Sequence, residues 1–405
     1  RALSFESRYG TKTFIGEFRN YGTVSNTPSG PPKIVFRGGI LNNGSFTLSN
    51  TSYVTFGATQ TISGTGNIDF NNIDGTNTVV TIGAGYTITN NNTGIVTIAG
   101  LFNGANASST WTNGTNATLN YSYAGTLLNT GVLTATAPGN TVNYSASGNQ
   151  TIKNTTYYNL TTSGSGTKTV GGDVTVNNIL AINNSTFSFG SSARNVTVNG
   201  DLSNTSGTID MTGSGIAHTL HLKGTNNSIS AFNTTPGSGS IVYYDGTTDQ
   251  AIFSSPNYRN LTVGGSGTKA LQGPTLANDA LTVSAGALQL AANDFTVNGT
   301  SSITGTIADN SPTGTDLFKG LVTVNAGGVW DFSTGNSAVE FQGGLTNAGT
   351  FTSGTGAYTF TTNTQSITAT NPISFNGNVN IAGATLSASG TINIGNDASD
   401  QFNIS

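Results

Sequence analysis

The side chains best placed to do chemistry sit in "YYDGTTDQ", residues 243–250. Here Asp245 and Asp249 lie four apart, behind Tyr243 and Tyr244. Two carboxylates can serve as the acid and the nucleophile of a glycoside hydrolase, and tyrosine faces can stack on sugar rings. The same stretch reads equally as a turn, because Asp-Gly is a turn dipeptide. In its three sister phrases the Asp249 position is Asn149, Thr59 or Thr364, so no carboxylate recurs there. His218 and His221 in "HTLHLK" resemble a metal pair. On a strand, however, a spacing of three puts them on opposite faces. "DNSPTGTD" (309–316) and "NDASDQ" (396–401) supply oxygens but lack the fixed spacing and closing Glu of a calcium loop. "GSGTK", at 164–168 and 265–269, lacks the G-K-[ST] ending and following helix of a phosphate loop. With three Glu in the chain and no acid–base constellation repeated, the expectation is a protein that is not an enzyme and uses no cofactor or metal.

The composition narrows the class further. Of 405 residues only 7% are charged, against about 25% in an ordinary globular protein. There is no Cys, which excludes disulfides, Cys-ligated zinc, iron–sulfur clusters and thiol catalysis. A net charge of −4 argues against nucleic-acid binding, which needs a basic footprint. No run approaches the ~18 apolar residues of a membrane span. The chain begins at Arg1 without Met, from which a removed leader and an extracellular or cell-surface location are expected.

Elements that could position such residues are short strands. Amphipathic helical periodicity is absent, whereas period-2 runs such as "DVTVNN" (173–178), "NVTVNG" (195–200) and "DFTVNG" (294–299) recur throughout. Each puts two apolar side chains on one face and Thr or Asn on the other, between Gly, Asn or Ser corners. Val174, Val176, Val196, Val198, Leu281, Val283, Val322 and Val324 are therefore predicted to face inward.

Longer phrases repeat as well. "YYNLTTSGSGTKTV" at 157–170 returns as "YRNLTVGGSGTKAL" at 258–271. "FRGGILNNGSF", from Phe36, returns as "FQGGLTNAGTF", from Phe341. The motif "TQTI", "NQTI", "DQAI" or "TQSI" occurs at Gln60, Gln150, Gln250 and Gln365, each time after an aromatic or β-branched strand. The spacing between these motifs drifts. A solenoid tolerates an added coil because each coil touches only its neighbours. The predicted fold is all-β, a parallel β-helix of short strands with Gly/Asn corners and Asn ladders. At roughly 20–25 residues a coil, it has roughly 16–20 coils. A tandem of β-sandwiches is the alternative; it fits the long spacing, but no unit carries the buried Trp such domains often have.

Residues 1–33 read differently from 34–405. The first 37 residues hold Arg1, Arg8, Arg19 and Arg37 of six Arg, and Glu6 and Glu17 of three Glu, with apolar Leu3, Phe5, Phe14 and Phe18 among them. The segment is expected to be an arm that joins subunits head to tail by strand addition, or else a cap folded on its own solenoid.

The phrases "YYNLTTSGSGTKTV…VTVNN" and "LTNAGTF" resemble the long repeats of secreted surface adhesins and extracellular fibre proteins of the Bacteroidota type, over about residues 34–400. The resemblance implies a β-helical structural protein of the cell surface, a self-associating fibre subunit or adhesin, with surface glycans as candidate partners. Two other functions compete: a carbohydrate-active enzyme or polysaccharide-binding module, and an ice-binding solenoid. The Thr-x-Thr pairs that the last would need do not recur at one fixed interval. Asn-x-Ser/Thr sequons occur at Asn113, Asn154, Asn159 and Asn260.

Overall fold

A computed structural model of the chain describes residues 2–5, 10–26, 33–48, 53–70, 79–204, 206–213, 215–232, 239–255, 257–395 and 400–404; Ala2, Ser4 and Phe5 are described as backbone alone. The described residues contain 49 strands and no helix. All defined strand pairings are parallel, and the strands stack as a β-solenoid of about 16 turns. The chain divides into two compact units, Arg1–Gly190 with Arg194–Asp210, and Ser191–Ala193 with Met211–Ser405. The first unit begins with the N-terminal segment.

Each turn carries three strands. In the first unit, one face begins Ala2–Phe5, Thr23–Asn26, Ser45–Leu48. A second runs from Thr11–Phe14 to Leu101–Gly104, and a third from Phe18–Asn20 to Val132–Thr134. The period-2 pattern decides what each strand buries. Thr141–Tyr144, for example, alternates half-buried and buried residues, with Val142 and Tyr144 inside. All eight predicted inward positions, from Val174 to Val324, are buried. Like residues stack from turn to turn: Val174 on Val196, Val176 on Val198, Leu261 on Leu281, Val263 on Val283.

Both tryptophans lie in this core. Trp111 meets Phe102 edge-on at 5.2 Å, and Trp330 stacks on Phe332 at 4.4 Å and on Phe351 at 5.5 Å. Such aromatic pairs contribute about 0.5–1.5 kcal/mol beyond the area they bury.

The outer surface has its own columns. In the first unit Thr61, Thr89, Thr112 and Thr134 stack on successive turns, as do Thr156, Thr175 and Thr197. In the second unit Thr262, Thr282, Ser302, Thr323, Thr346 and Thr368 form one column. The turns differ in length, so residues irregularly spaced along the chain come into register in space.

Residues 11–20 form an early turn of the first unit. Thr11–Phe14 pairs with Lys33–Phe36, and Phe18–Asn20 with Ile40–Asn42. Phe14 stacks on Phe36 at 5.4 Å, and Phe18 meets Phe14 and Phe46 edge-on at 4.9 and 5.8 Å. Leu3 lies opposite Val24 and is 44% exposed, while the side chain of Phe5 falls outside the described residues. Phe18 is thus buried in the core of its own chain, with Phe14 half-buried against it. Strands Thr11–Phe14 and Phe18–Asn20 therefore pair within the chain.

The dry stack yields a direct test. Val198→Asp should cost on the order of 4 kcal/mol or more, because it places an unpaired charge between buried turns. Chemical denaturation of variant and wild type checks this; equal midpoints would contradict inward stacking.

Candidate functional site

Corners are the difficult part of a solenoid. Strand ladders pair the main chain of the flat faces, but each bend leaves N–H and C=O groups that must still find partners. The four recurrent glutamines meet this need. Gln150 is buried, its Oε1 accepting from the Ala146 N–H at 3.0 Å and its Nε2 donating to the carbonyls of Tyr121 and Tyr123 at 2.9 and 3.0 Å. Gln250 repeats the arrangement with the Gly246 N–H and the carbonyls of Leu222 and Gly224. Gln60 accepts from the Gly39 N–H and donates to Phe36 and Ala58. Gln365 accepts from the Gly344 N–H and donates to Phe341 and Thr361.

"GSGTK" completes two of these corners from the next turn. Lys168 lies directly opposite Gln150, and Lys269 opposite Gln250. Both lysines are fully buried. The Lys168 ammonium donates to the carbonyls of Ala146, Gly148 and Ser165 at 2.6, 2.8 and 2.9 Å. Lys269 donates to Gly246, Thr248 and Ser266 at 3.0, 2.6 and 2.6 Å. One residue, Ala146 or Gly246, therefore gives its N–H to the glutamine of its own turn and its C=O to the lysine of the next. The glycines of the phrase are required by the approach: Gly265 has φ +69°, and a Cβ there would lie 2.1 Å from the Gly246 oxygen.

A tyrosine pair closes each module. Tyr144 and Tyr157 hydroxyls meet at 3.0 Å; the Lys153 N–H donates to Tyr144, and Tyr157 donates to the Lys153 carbonyl. Tyr244, Tyr258 and the main chain of Phe253 repeat this. Burial pushes the Tyr144 and Tyr244 hydroxyls up to about 12, so they remain neutral donors and acceptors. Buried asparagines bridge other turns: Asn20 donates to Asn42 at 2.7 Å, and Asn90 to Asn113 at 2.9 Å. The sequon residue Asn113 is thus enclosed in the core.

Sequence reading missed the inward Gln and Lys because polar residues were assigned to the outside. The available signal was parity. Gln150 alternates in phase with Ile152, and Lys168 with Val170, and both of those apolar partners are buried.

Of the residues singled out for chemistry, His221, Tyr243 and Asp245 come together, while His218, Tyr244 and Asp249 have other surroundings. Asp249 Oδ1 accepts from the Thr268 N–H at 2.7 Å, while Asp245 Oδ2 contacts His221 Nδ1 at 3.0 Å. The two carboxylates thus hold different partners. Tyr243 lies on the outer face and Tyr244 in the core. His218 is fully buried and His221 part-exposed. Among the described residues no group of three or more His, Cys, Asp or Glu could hold a metal ion, and no helix is long and apolar enough to cross a membrane. Of "NDASDQ", residues 396–399 lie outside the described residues.

"DNSPTGTD" has a different character. Asp309 and Asp316 are each about 1% exposed, and Asp316 points inward opposite Phe295 and Val339. Asp309 Oδ1 accepts from the Ser311 N–H at 3.0 Å, but Asp309 Oδ2 and both Asp316 oxygens have no hydrogen-bond partner. Burial, then the neighbouring Asp309 and Asp294 charges, push the Asp316 carboxyl well above the usual carboxylate range.

Two predictions follow from these buried groups. Lys168→Met should destabilise the first unit by about 2–4 kcal/mol, because three carbonyls lose their donor. Burial pushes Lys168 down to about 8, so between there and the ordinary lysine value near 10.4 the unfolded chain binds more protons. The Lys168 contribution to stability therefore rises with pH across that window, and wild type should gain stability relative to Lys168→Met from about pH 8 to pH 10. Parallel pH profiles for the two proteins would refute this.

Asp316 has the opposite sign. Its carboxyl keeps a proton in the folded state that the unfolded chain releases above about pH 3.9, so stability falls as pH rises from there. Asp316→Asn should raise the thermal midpoint at pH 7 and change it little at pH 3. Equal shifts at both pH values would contradict a buried, proton-holding carboxyl.

No protein-family model, curated protein or solved structure matches this chain, so its functional reading rests on the corner modules and surface groups themselves.

Proposed function

We propose that the chain is a structural, non-enzymatic solenoid of an extracellular surface protein, a fibre or adhesin in which the repeats act as a rigid scaffold. The observation that carries this reading is the repeated corner module. Gln150, Lys168, Tyr144 and Tyr157 in one unit, and Gln250, Lys269, Tyr244 and Tyr258 in the other, are buried and bonded to their own chain. Residue types that elsewhere bind or react are used here to lock turn to turn. The low charge and absence of Cys fit an exterior protein that needs neither disulfides nor metals to hold its coils.

The resemblance to surface adhesins and fibre proteins supports the same reading. Head-to-tail self-association remains part of the proposal as the route from subunit to fibre. Phe14 and Phe18, packed in their own solenoid, are poor candidates for its joint. Hydrolysis by Asp245 and Asp249 is the weaker reading, because their contacts lead to His221 and the Thr268 N–H and not to each other.

The test has two arms. Antibodies against the folded chain should label intact cells of the source organism, and the label should disappear on brief external proteolysis. The purified chain should release no reducing ends from polysaccharides. Label appearing only after lysis, or turnover abolished by Asp249→Ala, would overturn the proposal.

A further inference from the structure

One outward column of the second unit stands apart. The column from Thr262 to Thr368 extends one strand further, to Ser389, so a β-hydroxyl stands at every level of seven stacked strands. No register shift interrupts the pairing between Thr262 and Thr368. Along the chain the steps are 20, 20, 21, 23, 22 and 21 residues, so the sequence shows no fixed interval while the fold makes the column regular. Two other outward columns of this unit are mixed. One passes through Ala270, Gln289, Ala308 and Asp331, and another through Leu317, Glu340, Thr359 and Asn380.

The members of the column are outward residues between inward neighbours, as Thr282 is between Leu281 and Val283, and Thr323 between Val322 and Val324. Branching at Cβ leaves a threonine few χ1 choices, so its hydroxyl and methyl are held in place. Ser302 lacks the branch, and there Asn325 Nδ2 donates to its Oγ at 3.0 Å. Among the described residues no hydrogen bond engages the hydroxyls of Thr262, Thr282, Thr323, Thr346 or Thr368. Stacked strands lie about 4.7–4.9 Å apart, which sets the spacing of oxygens along the column. In ice each oxygen makes four tetrahedral O–H···O bonds of about 2.8 Å, so two oxygens bonded to the same third oxygen lie about 4.6 Å apart. The column therefore presents hydroxyl oxygens at nearly the repeat of a row of ice oxygens.

We propose that the column from Thr262 to Ser389 is an ice-binding face, whose ligand is the ordered water of an ice surface. Each hydroxyl both donates and accepts, so it can take the place of one water in the row. The methyl groups between the hydroxyls offer water no competing partner. Other ligands fit the column less well. It carries no charge and no aromatic ring, so it lacks the stacking face and convergent polar groups that hold a saccharide. It also lacks the apolar centre of a protein interface. What the column repeats is one hydroxyl at one spacing, and ice is the ligand that repeats in the same way. The inference goes beyond the scaffold function proposed above and does not depend on assembly or export.

The experiment uses the full chain, fluorescently labelled at its amino terminus, in buffer from which a polycrystalline ice hemisphere is slowly grown. The chain is expected to be taken into the ice, whereas free dye is excluded. Thr323→Lys and, separately, Thr282→Tyr place a long side chain across the row at outward positions and should abolish uptake. Thr359→Lys, between Glu340 and Asn380 on another face, should leave it unchanged. Circular dichroism melts ensure that only folded protein is compared, and if one of the two column variants does not fold, the other carries the comparison. Exclusion of the wild-type chain from the ice, uptake that survives a column substitution in folded protein, or uptake lost equally in Thr359→Lys would each overturn the ice-binding face.

Discussion

The structure depends on satisfying the main chain where it bends. On the flat faces the parallel ladder pairs N–H with C=O almost automatically, and Val, Leu and Ile stack beneath it. At the corners the ladder stops. An unpaired buried main-chain group costs about 1–3 kcal/mol. Left uncompensated over many turns, such losses would outweigh the whole stability of an ordinary domain. The recurrent Gln, the Lys of "GSGTK" and the buried Asn columns meet this demand with side chains that replace the missing ladder. This also explains how a chain with few charges can bury two lysines: each ammonium has three carbonyl oxygens in place of water.

The same constraint accounts for what repeats. The phrases conserved within the chain are not those that fill the core, where Val, Leu, Ile and Phe interchange freely. They are the ones that build a corner clip. At two of the four corners a Gln, a pair of Tyr and a Lys arrive together, on glycines that permit the left-handed backbone and the close approach of neighbouring turns. Coil length can drift because each turn meets only its neighbours, whereas clip geometry cannot. That is why irregularly spaced threonines still align in columns on the outside.

The strands and their inward faces were legible in the sequence. "NVTVNG" can be read only one way once period 2 is recognised, and Val196 and Val198 lie where that reading puts them. Polar residues on the inward parity were not legible, because a Lys or an Asp between apolar neighbours reads as an outward break in the pattern. Lys168 shares its parity with Val170, and Asp316 with Phe318; in both cases the polar residue is inside. The surroundings of Asp245 were half-legible. Tyr243 and Asp245 read as candidate sugar-binding groups, but the partner of Asp245 is His221, a neighbour one turn away that linear spacing could not reveal.

Successive turns are locked through shared corner groups and not merely stacked. The most direct test of this locking is a double-mutant cycle between Gln250 and Lys269, which both bind Gly246, one at the N–H and the other at the C=O. Unfolding free energies of Gln250→Leu, Lys269→Met and the double variant should show a coupling of about 0.5–3 kcal/mol, as expected for residues in one hydrogen-bond network. Additivity within about 0.3 kcal/mol would mean that the two side chains act independently, and would contradict a corner clip.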